Sequence, residues 1–435
     1  MGNCRQCHLD LVRIAILTAG TGSYYCGACM RDNALARALI ARGHEVNLVP
    51  LYLPLQLDED QVDEELPVFF GGINVYLQSK YGFFRKIPRW IDRLWNGRGL
   101  LRFVAKRSHL TSAREQGEMT CEMLKLEESA GLEKETEKLL EWLEKEGKPE
   151  VLMLSNALLA GFTSVLKDRL GVPVVCTFQG EDSFLDGLPE PSRSEAWSEM
   201  GRRVRDVEVM VAPSRYYAGE METRLGLESG EIEVIPNGVQ VEDFERGSGG
   251  EGKRIGYLAR LCELKGLGLL VEAFILMNDP SLELVVVGTL GGGDEKYVEG
   301  LKAKLEQAGL AEAVTWRPDL SKAEKVNFLA SLTVFSVPVV YPEAFGLYLV
   351  EAMAAAVPVV MPRASAFPEI VEESGCGVLV ESGSAEDLAR GLREVLDDPR
   401  REEIGNKGRR AVEDRYNTEV MAKNFEQIFR KVVAR

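Results

Sequence analysis

Two cations and two carboxylates in the second half of the chain have the types and spacing to hold a phosphorylated, hydroxyl-rich ligand. Arg260 and Lys265 lie in Ala259-Arg260-Leu261-Cys262-Glu263-Leu264-Lys265-Gly266, a loop expected to leave the strand RIGYLA (254–259) and enter a helix. At the carboxyl end of a parallel strand, a guanidinium fork and an ammonium five residues apart suit a diphosphate. Downstream, Ser336-Val337-Pro338 ends another strand and Pro342-Glu343-Ala344-Phe345-Gly346-Leu347 opens the helix GLYLVEAMAAA. Free amides near Phe345, Gly346 and Leu347 would face an anion. Glu343 precedes that helix, while Glu351 projects from its second turn on the face shared with Leu347 and Ala344. Two acids beside an anion site are costly unless they accept hydrogen bonds from hydroxyls, which sugar and ribose supply. The plain alternative, a solvated helix with ordinary surface acids, sits poorly with the apolar flanks.

A second candidate is the loop Gly20-Thr21-Gly22-Ser23-Tyr24-Tyr25-Cys26-Gly27, between the first strand and the first helix. Glycines such as Gly22 let the backbone approach a ligand, and the helix N-terminus that follows favours an anion. A tight turn with no ligand is the competing reading. The loop lacks the third glycine of a dinucleotide fingerprint, and the next strand ends without a ribose-binding acid, so NAD is rejected.

Apolar runs at 12–17, 45–52, 151–154, 172–178, 207–213, 232–236, 254–259, 282–288, 313–316, 334–338 and 357–362 alternate with helical stretches. Short strands separated by longer helices imply right-handed crossovers and parallel sheets covered on both faces, and there are too many strands for one sheet. The expected class is α/β with two Rossmann-like domains. The first spans 1–239 with insertions at 77–148, a Gly-rich linker follows at 240–253, and the second spans 254–412.

Composition is that of a globular protein: 435 residues, 45% hydrophobic, 28% charged. A net charge of −16 leaves no basic excess to displace phosphate counterions, which argues against general nucleic-acid binding. No apolar run reaches the roughly 18 residues of a membrane span and the N-terminus shows no signal pattern, so a cytoplasmic location is expected. Eight cysteines are too sparse for a disulfide framework. Cys4/Cys7 and Cys26/Cys29 form two C-x2-C pairs at zinc-like spacing, but the expected buried strand between them favours reduced thiols and no metal.

With these residues in place, the chain resembles glycosyltransferase family 4, the retaining nucleotide-sugar transferases of GT-B fold. The segment from Pro342-Glu343-Ala344-Phe345-Gly346-Leu347 through Glu351-Ala352-Met353-Ala354 is similar to that family's E-x7-E element. Arg260 and Lys265 resemble its diphosphate pair, Val285-Val286-Val287-Gly288 the strand and glycine that follow, Ile235-Pro236-Asn237-Gly238-Val239 the segment before the linker, and Pro368-Glu369-Ile370-Val371 a late turn. The resemblance implies two domains facing a central cleft and a helix at 413–435 returning to the first domain. It also implies a retaining hexosyl transfer from a nucleotide-diphosphate sugar to a hydroxyl acceptor (glycan, lipid-linked or small molecule), with no cofactor and no metal. Arg260, Lys265, Gly22, Gly288, Phe345, Gly346, Leu347 and Glu351 would hold the donor, with Glu351 on ribose hydroxyls and Glu343 beside the sugar.

Departures from the family pattern bear on the chemistry. Where a histidine is common, this chain reads Thr177-Phe178-Gln179-Gly180-Glu181-Asp182, and Gln179 cannot act as a base. A route in which the leaving phosphate takes the acceptor proton leaves Gln179 to hydrogen-bond the sugar, with Glu181 keeping a polar group in the catalytic set. Ala259 and Ala356 stand where glycines are usual, Gln240 where an aspartate is common, and Ser365-Ala366 in place of paired glycines. Alternative readings are a nucleotide-sugar epimerase or hydrolase of the same fold, or a catalytically silent sugar-nucleotide binder.

The segment 77–110 carries nine Lys or Arg against one acid, Asp92, interleaved with Phe83, Phe84, Trp90, Trp95 and Phe103, a local +8. It could lie on an anionic membrane surface and meet a lipid-linked acceptor, or pair with the acidic stretch 124–148. If it binds membranes, the protein will sediment with anionic liposomes at low salt and be released as salt rises, since exposed charges are screened within about 10 Å at 0.1 M. Equal recovery with neutral liposomes would leave the segment structural.

Overall fold

The computed structural model describes residues 11–20, 27–52, 69, 113–126, 132–247, 253–291, 293–318 and 320–435. The basic segment 77–110, Gly22, and Cys4, Cys7 and Cys26 of the proposed thiol pairs lie outside these. Cys29, the remaining member of those pairs, is buried with its Sγ 3.8 Å from the Thr18 hydroxyl. Among the described residues no helix is long and apolar enough to cross a membrane.

Among the described residues, twelve strands form two six-stranded, wholly parallel sheets. The first holds β1 (Arg13–Thr18), β2 (Glu45–Pro50), β3 (Val151–Leu154), β4 (Val174–Thr177), β5 (Val209–Ala212) and β6 (Ile232–Val234) in the order β2-β1-β3-β4-β5-β6. The second holds β7 (Lys253–Leu258), β8 (Leu282–Val287), β9 (Val314–Arg317), β10 (Val334–Phe335), β11 (Val359–Pro362) and β12 (Gly377–Val380) in the order β12-β11-β10-β7-β8-β9. The expected α/β class with two Rossmann-like sheets is what the chain forms. All of β3, β4 and β11 is buried, which is why these strands read as unbroken apolar runs.

Strand order reverses between β1 and β3 in one sheet and between β7 and β10 in the other. At such a point the loops leaving the carboxyl ends of two neighbouring strands diverge, and the crevice between them is where doubly wound sheets bind ligands. The loop carrying Arg260 and Lys265 follows β7, and the segment carrying Glu343 follows β10.

Two expectations need correction. β12 was not foreseen. Part of the stretch expected to be linker is packed: Val241 and Phe244 are buried in the second core, and Arg409 donates to the Phe244 carbonyl at 2.8 Å. Two apolar side chains three residues apart on a short 3₁₀ turn (Val241–Asp243) account for this, despite the glycines that follow.

The chain divides into two compact units: residues 1–213, 218–235 and 422–435, and residues 214–217 and 236–421. The last helix, Thr418–Val433, therefore contributes most of its length to the first unit. There Glu426, only 5% exposed, takes a guanidinium from Arg42 at 2.5 Å, lies 3.4 Å from His44 and pairs with Arg430 one turn on. Burial alone would raise its pKa, yet these cations hold it below the ordinary value. A depressed carboxylate contributes stability above its unfolded pKa and loses it as pH falls through the folded one. Glu426→Gln should therefore lower stability by about 1–3 kcal/mol at pH 7, the cost of a lost charged hydrogen bond, with the difference closing as pH falls through the depressed folded-state value. Thermal unfolding of both proteins across that range checks this, and a pH-independent difference contradicts it.

Candidate active site

The second unit brings Lys265 and Glu343 together. Lys265 sits on a single 3₁₀ turn, Glu263–Lys265, ended by Gly266 at φ +72. A Cβ on Gly266 would lie 1.7 Å from the Pro338 carbonyl oxygen, so glycine serves twice: it takes the left-handed turn and lets the Lys265 loop sit on the segment leaving β10. Val340 N donates to the Leu264 carbonyl at 3.0 Å and completes that docking. Gly288, at the end of β8, has the same purpose on the other side, since a Cβ there would lie 1.7 Å from the Ala259 carbonyl oxygen.

Across this junction the Lys265 ammonium meets a Glu343 carboxylate oxygen at 2.5 Å, with both side chains mostly buried. The same oxygen accepts from the hydroxyls of Tyr341 and Tyr348, each at 2.9 Å. Lys265 also contacts the Tyr341 hydroxyl and lies 4.8 and 5.3 Å from the centroids of the Tyr341 and Tyr348 rings. Burial, and then the neighbouring carboxylate, push the Tyr348 hydroxyl well above its ordinary pKa, so it stays a donor. An ammonium packed between two rings and one carboxylate is held without being spent, and a phosphate can compete for it.

Arg260 is exposed, its Nε donating to Cys262 Sγ at 3.3 Å, and among the described residues no carboxylate lies within ion-pair distance of it. The helix Leu347–Ala354 begins after Gly346 with no side-chain cap, which leaves its first amides to a ligand. Phe345 is buried and packs 6.1 Å from the Tyr416 ring, fixing the turn before those amides. Glu351 is nearly buried, and one carboxylate oxygen meets Lys325 at 2.7 Å. Lys325 and the two tyrosines are site residues that sequence reasoning missed. Lys325 lies on a separate helix, Lys322–Ala330, and the tyrosines read as ordinary apolar positions of strand end and helix. Glu369, in the helix Phe367–Ser374 that forms where a late turn was expected, accepts from the Arg215 and Tyr216 amides at 3.2 and 3.3 Å. The neighbouring Ser214 hydroxyl donates to the Ala344 carbonyl at 2.7 Å, and residues 214–217 belong to the second unit.

In the first unit the expected catalytic residues separate. Glu181 is buried, and its two oxygens accept from the amides of Ala157 (2.9 Å), Gln179 (2.8 Å) and Gly180 (3.1 Å). These three bonds hold the turn at the end of β4. Beneath it lies a pair that sequence reading did not single out, Arg31 and Asp32, 3.0 Å apart and fully buried. Arg31 donates to the Ser155 carbonyl at 3.1 Å and to the Thr177 hydroxyl at 2.9 Å, tying β3 and β4 together where their loops begin. Burial raises the Asp32 pKa despite Arg31 beside it.

Comparison with known proteins identifies the family. The family profile described as "Glycosyl transferases group 1" matches residues 239–411, and that described as "Glycosyl transferase 4-like domain" matches residues 30–238. The chain belongs to the family 4 glycosyltransferases. Relatives include a D-inositol 3-phosphate glycosyltransferase of Segniliparus rotundus, 28% identical over 54% of this chain and 56% of its own length. An MMP alpha-(1->4)-mannosyltransferase of Mycolicibacterium hassiacum is 31% identical over 54% of this chain and 57% of its own. The aligned part thus spans a little over half of each relative. In fold, the chain is similar to sucrose-phosphate synthase of Thermosynechococcus elongatus, with TM-score 0.72, 18% identity, and coverage of 97% of this chain and 99% of the other. Anabaena HepE, solved with UDP and glucose, gives TM-score 0.66 and 15% identity over 97% of this chain and 100% of its own.

Gly266→Ala tests the docking of the family's cation loop. A left-handed alanine costs about 1–2 kcal/mol, and the clash with the Pro338 carbonyl adds to it. The variant should unfold at lower temperature and bind UDP and GDP more weakly in a titration than wild type does; unchanged nucleotide affinity would separate Lys265 from the site.

Proposed function

We propose that the protein transfers a sugar from a nucleoside-diphosphate donor to a hydroxyl acceptor with retention of anomeric configuration. The observation that carries this reading is the arrangement at the β7/β10 reversal: the loop of Arg260 and Lys265 follows β7, Lys265 pairs with Glu343 after β10, and the next helix has an uncapped N-terminus and carries Glu351, paired with Lys325. Arg260 and Lys265 take the diphosphate, assisted by amides near Phe345, Gly346 and Leu347. Glu351, with Lys325, receives the ribose hydroxyls, and Glu343 faces the sugar. Gly288 lets the Arg260 loop approach.

In the reaction, the bond between the anomeric carbon and the leaving phosphate oxygen lengthens while the acceptor oxygen approaches from the same face. Its proton passes to the departing phosphate oxygen. Negative charge grows on the diphosphate, where two side-chain cations and helix amides stabilise it, so the reading requires no metal. Positive charge grows on the sugar, where Glu343 supplies the carboxylate in this reading. Names among the relatives point to mannosyl and inositol-phosphate substrates and a structural neighbour to UDP-glucose, so GDP-mannose and UDP-glucose are the donors to try first.

The two glutamates should differ in kinetics. Glu351→Ala should raise the donor KM roughly 10- to 150-fold, the equivalent of about 1.5–3 kcal/mol for a hydrogen bond to a charged group, with a smaller effect on kcat. Glu343→Gln keeps shape, removes charge and releases Lys265, so kcat should fall at least about tenfold with donor KM unchanged or lower. Steady-state hydrolysis or transfer with either donor measures both. Identical patterns in the two variants, or loss of donor binding in Glu343→Gln, would sink the assignment.

A further inference from the structure

We propose that Ser365 is a positioning residue for Glu343, held in a backbone conformation unfavourable to serine so that its hydroxyl can fix the segment that carries the carboxylate. What Glu343 does rests on the transferase reading; how it is held does not. Ser365 lies in the loop after β11, two residues into the sequence Ala364-Ser365-Ala366, with φ +61. In that region the Cβ of an L-residue crowds the following carbonyl, and glycine alone adopts it freely. A residue kept there against this cost points to a use for its side chain.

The use is visible in the hydrogen bonds. Ser365 Oγ accepts the Glu343 amide at 2.9 Å and lies 3.4 Å from the Tyr341 carbonyl, to which it can donate. The adjacent Ala366 amide donates to the Glu343 carbonyl at 3.3 Å. Both peptide groups of Glu343 are therefore held by residues 365–366, independently of its side chain. That independence matters because one of the carboxylate's three donors is Lys265, the ammonium for which a diphosphate competes. When Lys265 turns to phosphate, the side chain keeps the two tyrosine hydroxyls and the backbone hold remains, so the carboxylate stays on the sugar side. A glycine at 365 would relieve the strained turn but leave the Glu343 amide without this acceptor.

Ser365→Gly and Ser365→Ala in the full-length chain separate the hydroxyl from the backbone. Glycine removes strain and hydroxyl together, whereas alanine keeps the strain and removes only the hydroxyl. We expect the melting temperature of Ser365→Gly to equal or exceed that of wild type and that of Ser365→Ala to fall below it. Both should show amide exchange at Glu343 faster by about fivefold or more, the equivalent of one hydrogen bond. Both should lose kcat for UDP-glucose or GDP-mannose by a similar factor, with donor KM within about twofold. A stability-only role predicts that activity follows melting temperature, which the glycine variant would contradict. Wild-type exchange at Glu343 in either variant overturns the proposal, as does a loss of kcat in the glycine variant alone, which would assign the effect to chain freedom. If the wild-type protein turns over neither donor, the transferase reading falls for those donors, and the exchange and melting measurements still decide the part played by Ser365.

Discussion

The candidate site depends on a very short strand pairing. β10 is two residues long and joins β7 only through Val334 with Ile255 and Phe335 with Gly256. After Phe335 the chain is still tied to both neighbours, by Ser336 N to the Gly256 carbonyl at 3.0 Å and Ser336 Oγ to the Val360 carbonyl at 2.7 Å. It then departs through Pro338, which has no amide to continue a ladder. This early departure opens the sheet at the place where strand order reverses. It gives the Lys265 turn a surface to dock on and sends Glu343 back across it. A β10 that continued through residue 338 as regular strand would carry the segment away from Lys265.

Electrostatics then decides what the opening can hold. Lys265 and Glu343 neutralise each other, but two phenol hydroxyls also serve the carboxylate and two aromatic faces also serve the ammonium. Neither charge becomes an uncompensated buried ion when the pair loosens, so separating it is cheaper than it would be in an apolar pocket. Glu351 and Lys325 repeat the device one helix further on, again with both charges largely removed from water. In a chain of net charge −16, cations removed from water are found in such local arrangements with their carboxylates.

Much of this was legible beforehand, for identifiable physical reasons. Strands buried on both faces leave unbroken apolar runs, and eleven of the twelve strands coincide with the runs read from sequence. β12 escaped because Gly377-Val378-Leu379-Val380 opens on a glycine and stays mostly half-buried, giving a shorter and weaker run. Arg260, Lys265, Glu343 and Glu351 were legible because loop, helix start and helix turn place them at fixed spacings. Lys325 and the Arg31–Asp32 pair were not, since their meaning comes from partners on other elements: Glu351 is 26 residues from Lys325, and Thr177 is 146 residues from Arg31. Glu181 shows a different limit of sequence. An acid after a strand end reads the same whether it faces a ligand or three backbone amides, and only the hydrogen bonds tell them apart.

The two positions where this chain has side chains at left-handed backbone in place of the family's glycines make an instructive pair. Ala356 has φ +57 and Ser365 φ +61, so each carries a cost of about 1–2 kcal/mol that glycine would avoid. Alanine has nothing with which to offset it except unfolded-state entropy, and Ala356 lies where its own carbonyl packs against Gly405, away from the charged residues. Serine has a hydroxyl, and at 365 that hydroxyl meets the amide of Glu343, recovering about 1 kcal/mol at the point where placement of the backbone matters to the carboxylate. Equal departures from a family pattern are thus unequal in physical content: one is tolerated strain, the other is strain exchanged for an interaction. Which of the two a substitution represents is decided by what its side-chain atoms touch.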